Sequence, residues 1–94
     1  LSSGMRQVLA IIRAIISRPA VLMLDEPTTS MDAQAEKLVV ATLARVTQNM
    51  TCIVATHRGA LLEIVDRVII LDQGRIVADG PTNEVLERIQ AEQG

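Results

Sequence analysis

No phenylalanine, tryptophan or tyrosine occurs anywhere in the 94 residues. The chain therefore offers no aromatic face on which a nucleobase could stack, and any base it helps to bind must be held by other groups. Cysteine is nearly as scarce. Cys52 stands alone, which excludes an internal disulfide, and its place among the β-formers of Thr51 to Ala55 predicts a buried, inert thiol in a reducing, cytosolic setting. Basic runs are missing too: Lys and Arg total 9 against 11 Asp and Glu, for a formal charge of -2. Nothing here could track a phosphate backbone, and no nucleic-acid partner is expected. The longest apolar runs, Ala20 to Leu24 and Val68 to Leu71, fall far short of the ~18 residues that suggest a membrane span. Any membrane association is expected to come from elsewhere. The chain also lacks an initiator Met and a signal-peptide pattern, and helix-start chemistry begins at once with Ser2, Ser3 and Gly4, so its N-terminus reads as cut.

What is present suits one small α/β domain, with 49% hydrophobic residues to fill a core. Val8, Ile11, Ile12, Ile15 and Ile16 recur at the offsets of an amphipathic helix, predicted over Gly4 to Ser17 and ended by Pro19. Ala20 to Leu24 is a continuous apolar run of strand length, expected to be buried on both faces. Asp32 can cap a second helix whose stripe is Ala35, Leu38, Val39, Leu43 and Val46. A second strand is predicted over Thr51 to Ala55, a short helix over Ala60 to Ile64 and a third strand over Arg67 to Leu71. This alternation predicts right-handed crossovers and a mainly parallel sheet with flanking helices. Gln73 and Gly74 then turn the chain into Arg75 to Ala78 as a C-terminal antiparallel hairpin, and a last helix follows Pro81 and Thr82 with Val85, Leu86 and Ile89 facing inward. The four Met read as core gap-fillers, and Glu87, Arg88 and Glu92 as a solvated face.

In such a fold, ligand groups gather beyond the carboxyl ends of the strands, and the polar residues fall there. Asp25 and Glu26 end the first strand, where one carboxylate can meet a magnesium ion and the other can orient a water. An ordinary strand-to-loop junction would also accommodate an acid pair. His57 follows the second strand; it is either a structural or surface histidine or a neutral imidazole donating to a phosphate oxygen. Ser2, Ser3 and Gly4 open the first helix, either as a plain cap or as an anion grip aided by the helix dipole.

Taken in order, these pieces resemble the ATP-binding-cassette family. Leu1-Ser2-Ser3-Gly4-Met5-Arg6-Gln7 resembles its signature LSGGQRQ, Val21 to Pro27 its Walker B strand with the catalytic glutamate, Ser30-Met31-Asp32 its D-loop, and Thr56-His57-Arg58 its switch-histidine loop. The stretch from Asp66 to Val77 is similar to the hairpin that follows the switch histidine in transporter cassettes. The resemblance implies a partial P-loop NTPase-like domain, with residues 1–94 forming the C-terminal part of a cassette whose phosphate-binding half is absent. No G-x-x-x-x-G-K-[ST] pattern occurs. It further implies that Asp25 holds Mg2+ through water, Glu26 is general base or water-orienting group, and His57 contacts the γ-phosphate. Ser2, Ser3 and Gly4 would contact ATP held by a second nucleotide-binding domain in a head-to-tail dimer, with Asp32 lining the seam. Ser3 and Met5 stand where the family has Gly and Gln, which implies a weakened signature beside an intact catalytic half.

The expected activity is ATP hydrolysis that powers export by a transporter, perched on its transmembrane domains at the cytoplasmic face of the inner or plasma membrane. A type I secretion or bacteriocin-type exporter is the subfamily suggested by Arg58 and the hairpin. The isolated chain is expected to be inactive. Two other readings stand beside this one: a soluble cassette ATPase of DNA repair or translation, and a non-catalytic cassette that only dimerises. The acidic balance disfavours the first, and retention of both Asp25 and Glu26 the second.

Overall fold

The computed structural model describes residues 2–93, so Leu1 of the signature-like stretch and Gly94 lie outside the described residues. Two compact units divide the chain, Leu1–Leu61 and Leu62–Gly94.

In the first unit, α1 (Ser3–Ile16) is followed by β1 (Val21–Asp25), α2 (Ala33–Val46) and β2 (Thr51–Ala55). Ser2 caps α1: its hydroxyl accepts from the Met5 N–H at 3.1 Å, satisfying one of the amides a helix start leaves unpaired. The helix stops before Arg18, which takes a left-handed φ of 49°, and Pro19 forbids its continuation. Only part of the predicted stripe is covered. Ile11 is buried and Val8 and Ile15 half-buried, whereas Ile12 and Ile16 are exposed, because the apolar residues wrap more than one side of the helix and only one side meets β1.

β1 and β2 pair in parallel, from Val21 opposite Thr51 to Asp25 opposite Ala55. The expected burial of β1 on both faces is not found. Leu22 is buried and Leu24, Cys52 and Val54 half-buried on one face, but Val21, Met23 and Ile53 are exposed on the other. A two-stranded ribbon alternates inward and outward residues, and in this unit only one of its faces is covered. In α2 the buried residues are Glu36, Val40 and Leu43; of the predicted stripe Leu43 is buried and Ala35, Val39 and Val46 half-buried, whereas Leu38 is 69% exposed. Cys52 is half-buried instead of fully buried, and its burial pushes the thiol pKa up, which keeps it protonated and inert. Of the methionines, only Met31 is buried; Met5 and Met23 are exposed.

A 3-10 helix, Gly59–Ile64, precedes the second unit's β3 (Arg67–Asp72), β4 (Arg75–Pro81) and α3 (Thr82–Gln93). The third strand was expected to join the parallel sheet; among the described residues it pairs only with β4, antiparallel. The reason is length, since a parallel crossover takes a dozen or more residues and usually a full helix, and the stretch from Thr56 to Asp66 holds only the 3-10 turn. Gln73 and Gly74 both have positive φ, 50° and 76°, as a two-residue turn of the twist-compatible kind requires. Val77 is the extra residue of a bulge, and β4 runs three residues past the predicted Ala78. Arg67 forks onto Asp79 at 2.8 and 2.7 Å across the hairpin. α3 lays Val85, Leu86 and Ile89 inward as predicted, with Glu87, Arg88 and Glu92 exposed. Thr82 pins its start through its hydroxyl on the Val65 carbonyl at 2.6 Å. Among the described residues no helix is long and apolar enough to cross a membrane.

Candidate functional site

The parallel ribbon delivers its polar residues together. The Glu26 N–H donates to the Ala55 carbonyl at 2.7 Å, carrying the ladder one residue beyond β1, and the backbone then turns left-handed at Glu26 with φ 45°. That conformation is uncommon for a residue with a Cβ, and it turns the chain out of the strand at the residue whose carboxylate meets the neighbouring loop. Glu26 Oε1 lies 2.7 Å from His57 Nδ1, while Oε2 accepts from the Thr29 and Thr56 hydroxyls, each at 3.2 Å. Asp25 ends β1 beside it and is exposed. Glu26 and His57, separated by 31 positions in sequence, therefore converge as the strand-end pattern predicts.

The hydrogen bonds around Glu26 bear on its carboxyl. The hydrogen bond from His57, ahead of the opposing cost of burial, holds the Glu26 carboxyl below the ordinary glutamate range, with Thr56 and Thr29 adding to the effect. An ionised carboxylate only accepts, so Nδ1 carries the proton. The imidazole is 82% exposed, and Nε2 is the ring nitrogen left for a ligand.

On the other side of Glu26 stands α1. Gln7 donates from Nε2 to the Glu26 carbonyl at 3.0 Å and accepts the Ser30 N–H on Oε1 at 2.9 Å. One amide thus ties the first helix to both the acid and the loop after it. A Cβ added at Gly4 would sit 3.0 Å from the Ser30 carbonyl oxygen, so glycine is what allows helix and loop to approach this closely. Ser2, Ser3, Gly4, Met5, Ser30 and Asp32 face an open cleft of about 280 Å³ at that junction. Asp32 also caps α2, accepting the Ala35 N–H at 2.7 Å.

Four residues of this region were given no part in the site from sequence, although Gln7 and Arg58 lie in the family-like stretches: Gln7, Thr28, Glu36 and Arg58. Thr28 is fully buried and donates to Glu36 Oε2 at 2.6 Å, and Arg58 forks onto both Glu36 oxygens at 2.5 and 3.1 Å. The guanidinium first, then the Thr28 hydroxyl, holds the Glu36 carboxyl below its ordinary range. A detectable signal existed, because Glu36 sits on the same helical face as Val40 and Leu43, and a charged residue on a core face calls for a partner.

Comparison with known proteins gives this constellation its context. Residues 1–63 match the family described as "AAA domain, putative AbiEii toxin, Type IV TA system". The chain is 46% identical over 80 residues to the "ABC transporter BEA3" of Gibberella fujikuroi, covering 85% of this chain and 6% of that protein. It is 45% identical over 86 residues to an ATP-dependent lipid A-core flippase of Bordetella pertussis, covering 92% of this chain and 14% of the relative. A solved structure of a bacterial Atm1-family ABC exporter with ATP bound superposes with a TM-score of 0.81 at 31% identity, over 100% of this chain and 18% of that one. The chain belongs to the ATP-binding-cassette family. Its fold is that of an exporter cassette's nucleotide-binding domain, and it spans between 6% and 15% of the first relatives it matches.

Membership in a cassette family implies nucleotide, and the residues fit part of that role. Among the described residues no group of three or more His, Cys, Asp or Glu side chains could hold a metal ion. A hard cation such as Mg2+ accepts a single carboxylate with water and phosphate oxygens completing its shell, and Asp25, exposed at the end of β1, is a carboxylate that could serve in that way.

Proposed function

We propose that this chain is the C-terminal part, residues 1–94, of a nucleotide-binding domain that hydrolyses ATP to drive export through transmembrane domains, working at the cytoplasmic face of a membrane. Relatives named as an ABC transporter and an ATP-dependent flippase, and a fold shared with an exporter that binds ATP, support this reading. The observation that carries it is the 2.7 Å contact between Glu26 and His57 at the carboxyl end of the parallel ribbon.

In this reading Asp25 would hold Mg2+ through water, and the ion would supply screening of the phosphates' negative charge. Glu26, kept ionised by its hydrogen bonds, orients the attacking water and accepts its proton. His57 bonds Glu26 through Nδ1 and presents Nε2 to the γ-phosphate. Ser2, Ser3 and Gly4, at the N-terminus of α1 where amides and dipole favour an anion, meet ATP held by a second cassette in a head-to-tail dimer, and Asp32 lines the seam. Ser3 and Met5 face the same cleft; Ser3 adds bulk and Met5 removes an amide there, which weakens the signature contact. The chain by itself, lacking a phosphate loop, is inactive.

In the intact protein, Glu26→Gln is expected to lower turnover by about 100-fold or more while ATP still binds, and His57→Ala to lower it in the same direction. Steady-state phosphate release beside nucleotide binding checks this; turnover within twofold of wild type in both variants sinks the assignment.

A further inference from the structure

Glu26 and His57 lie on two different loops, and their contact depends on how far apart those loops are held. The loop after β1 carries Glu26 and, two residues on, Thr28. The loop after β2 carries His57 and, one residue on, Arg58. Both Thr28 and Arg58 end on the same carboxylate, that of Glu36 in the first turn of α2. We propose that Glu36 is a positioning residue which, through Arg58 and Thr28, sets the spacing of the two loops and thereby seats the His57 imidazole on Glu26. The proposal rests on the catalytic reading of that pair.

The geometry favours a rigid hub over a surface ion pair. Glu36 is 9% exposed and Thr28 fully buried, and no buried side-chain nitrogen or oxygen among the described residues lacks a partner. The fork of Arg58 on both carboxylate oxygens fixes direction as well as distance, which a single contact does not. The first turn of a helix also favours a carboxylate. The loop is braced from within as well: the Arg58 N–H donates to Thr56 Oγ1 at 3.0 Å, and that hydroxyl donates onward to Glu26 Oε2. Arg58 thus reaches Glu26 by one hydroxyl on its backbone side and reaches α2 by its side chain. His57 itself, 82% exposed, has little packing of its own to hold it; the adjacent anchor must do so.

The test uses the intact protein with Glu36→Gln, Arg58→Lys and Thr28→Val, and Arg67→Lys as control, since Arg67 makes a similar fork on Asp79 away from the catalytic pair. Glu36→Gln and Arg58→Lys are expected to lower kcat roughly 10- to 100-fold, the scale of a misplacement of about 1 Å, with KM within about twofold. Arg67→Lys leaves kcat unchanged. A merely structural role is separated by repeating Glu36→Gln and Arg58→Lys on His57→Ala: acting through the imidazole, they should then cost less than about twofold more. Should Glu36→Gln fail to fold, Arg58→Lys carries the test, because it keeps the charge and loses only the fork. Unchanged kcat, or full multiplicative loss on His57→Ala, overturns the proposal while leaving the catalytic reading intact. If His57→Ala and Glu26→Gln themselves leave turnover unchanged, the catalytic reading falls and this inference with it.

Discussion

A left-handed backbone crowds the Cβ of any residue but glycine against the following carbonyl, and Glu26 keeps its φ of 45° because bonds on every side hold it there. Its N–H is on Ala55, its carbonyl on Gln7 and its carboxylate on Thr29, Thr56 and His57. Among the described residues three carboxyls, those of Glu26, Glu36 and Asp79, sit below their ordinary range, held there first by hydrogen bonds from His57, Arg58 and Arg67 respectively. A carboxyl lowered on folding adds stability that is present above its unfolded pKa and is lost as pH falls through its folded one. The melting temperature is therefore expected to be level from neutral pH down to the ordinary carboxyl range and to fall below it. Glu36→Gln should lie below wild type at neutral pH and converge with it in acid, because protonation removes from the wild type what the substitution has already removed. Thermal melts across that range check this, and parallel curves would refute it. At this scale the placement of Asp25, Glu26 and His57 just at the strand ends was legible because the apolar runs before them read as parallel strands. Thr28 and Arg58 were not, since their partner, Glu36, becomes a neighbour only once α2 has packed.

Elements were read more securely than their faces. Caps and breakers act through adjacent residues, so Ser2, Asp32 and Pro19 placed the helix ends to within a residue or two. Which side of a helix or ribbon is covered depends on what lies opposite. Leu38 and Met23 were misassigned because periodicity records where apolar residues recur and not how many layers meet them. The strand β3 went to the wrong sheet for a related reason: alternating elements suggested another crossover, and the short 3-10 connection did not permit one. The hairpin that formed instead depends on its two turn residues. Gly74 at φ 76° has no L-residue substitute free of strain, so Gly74→Ala should cost about 1 kcal/mol. Gln73→Asn, which tolerates its φ of 50° better, should stabilise by about 0.5 kcal/mol. Chemical denaturation of the two variants gives opposite signs if the turn is as described; equal signs would contradict it.

At the scale of the whole molecule, the proposed reading has the first unit bring together residues that would act on a γ-phosphate without those that would hold the rest of the nucleotide. The groups it would offer are the imidazole of His57, the carboxylates of Asp25 and Glu26 and the N-terminus of α1, while the sequence contains no glycine-rich phosphate loop with its Lys. Gln7 and Gly4 explain why the signature-like helix and the acid pair nonetheless belong to one rigid piece: the amide bridges Glu26 to Ser30, and the glycine lets the helix seat against that loop. A contact made by another cassette's ATP at Ser2 would thus bear on the backbone of Glu26 through one side chain. Binding energy is the missing ingredient, since an imidazole and a helix start supply too few donors for a tetraanionic ligand that water already solvates well. The pure 94-residue chain, mixed with Mg2+ and ATP, is accordingly expected to show neither saturable nucleotide binding at millimolar concentration nor phosphate release above the buffer rate. Calorimetry and a phosphate-release assay check this. Magnesium-dependent turnover that vanishes in Glu26→Gln would show that the cradle is not needed and that the division of labour between the two halves of the cassette has been drawn in the wrong place.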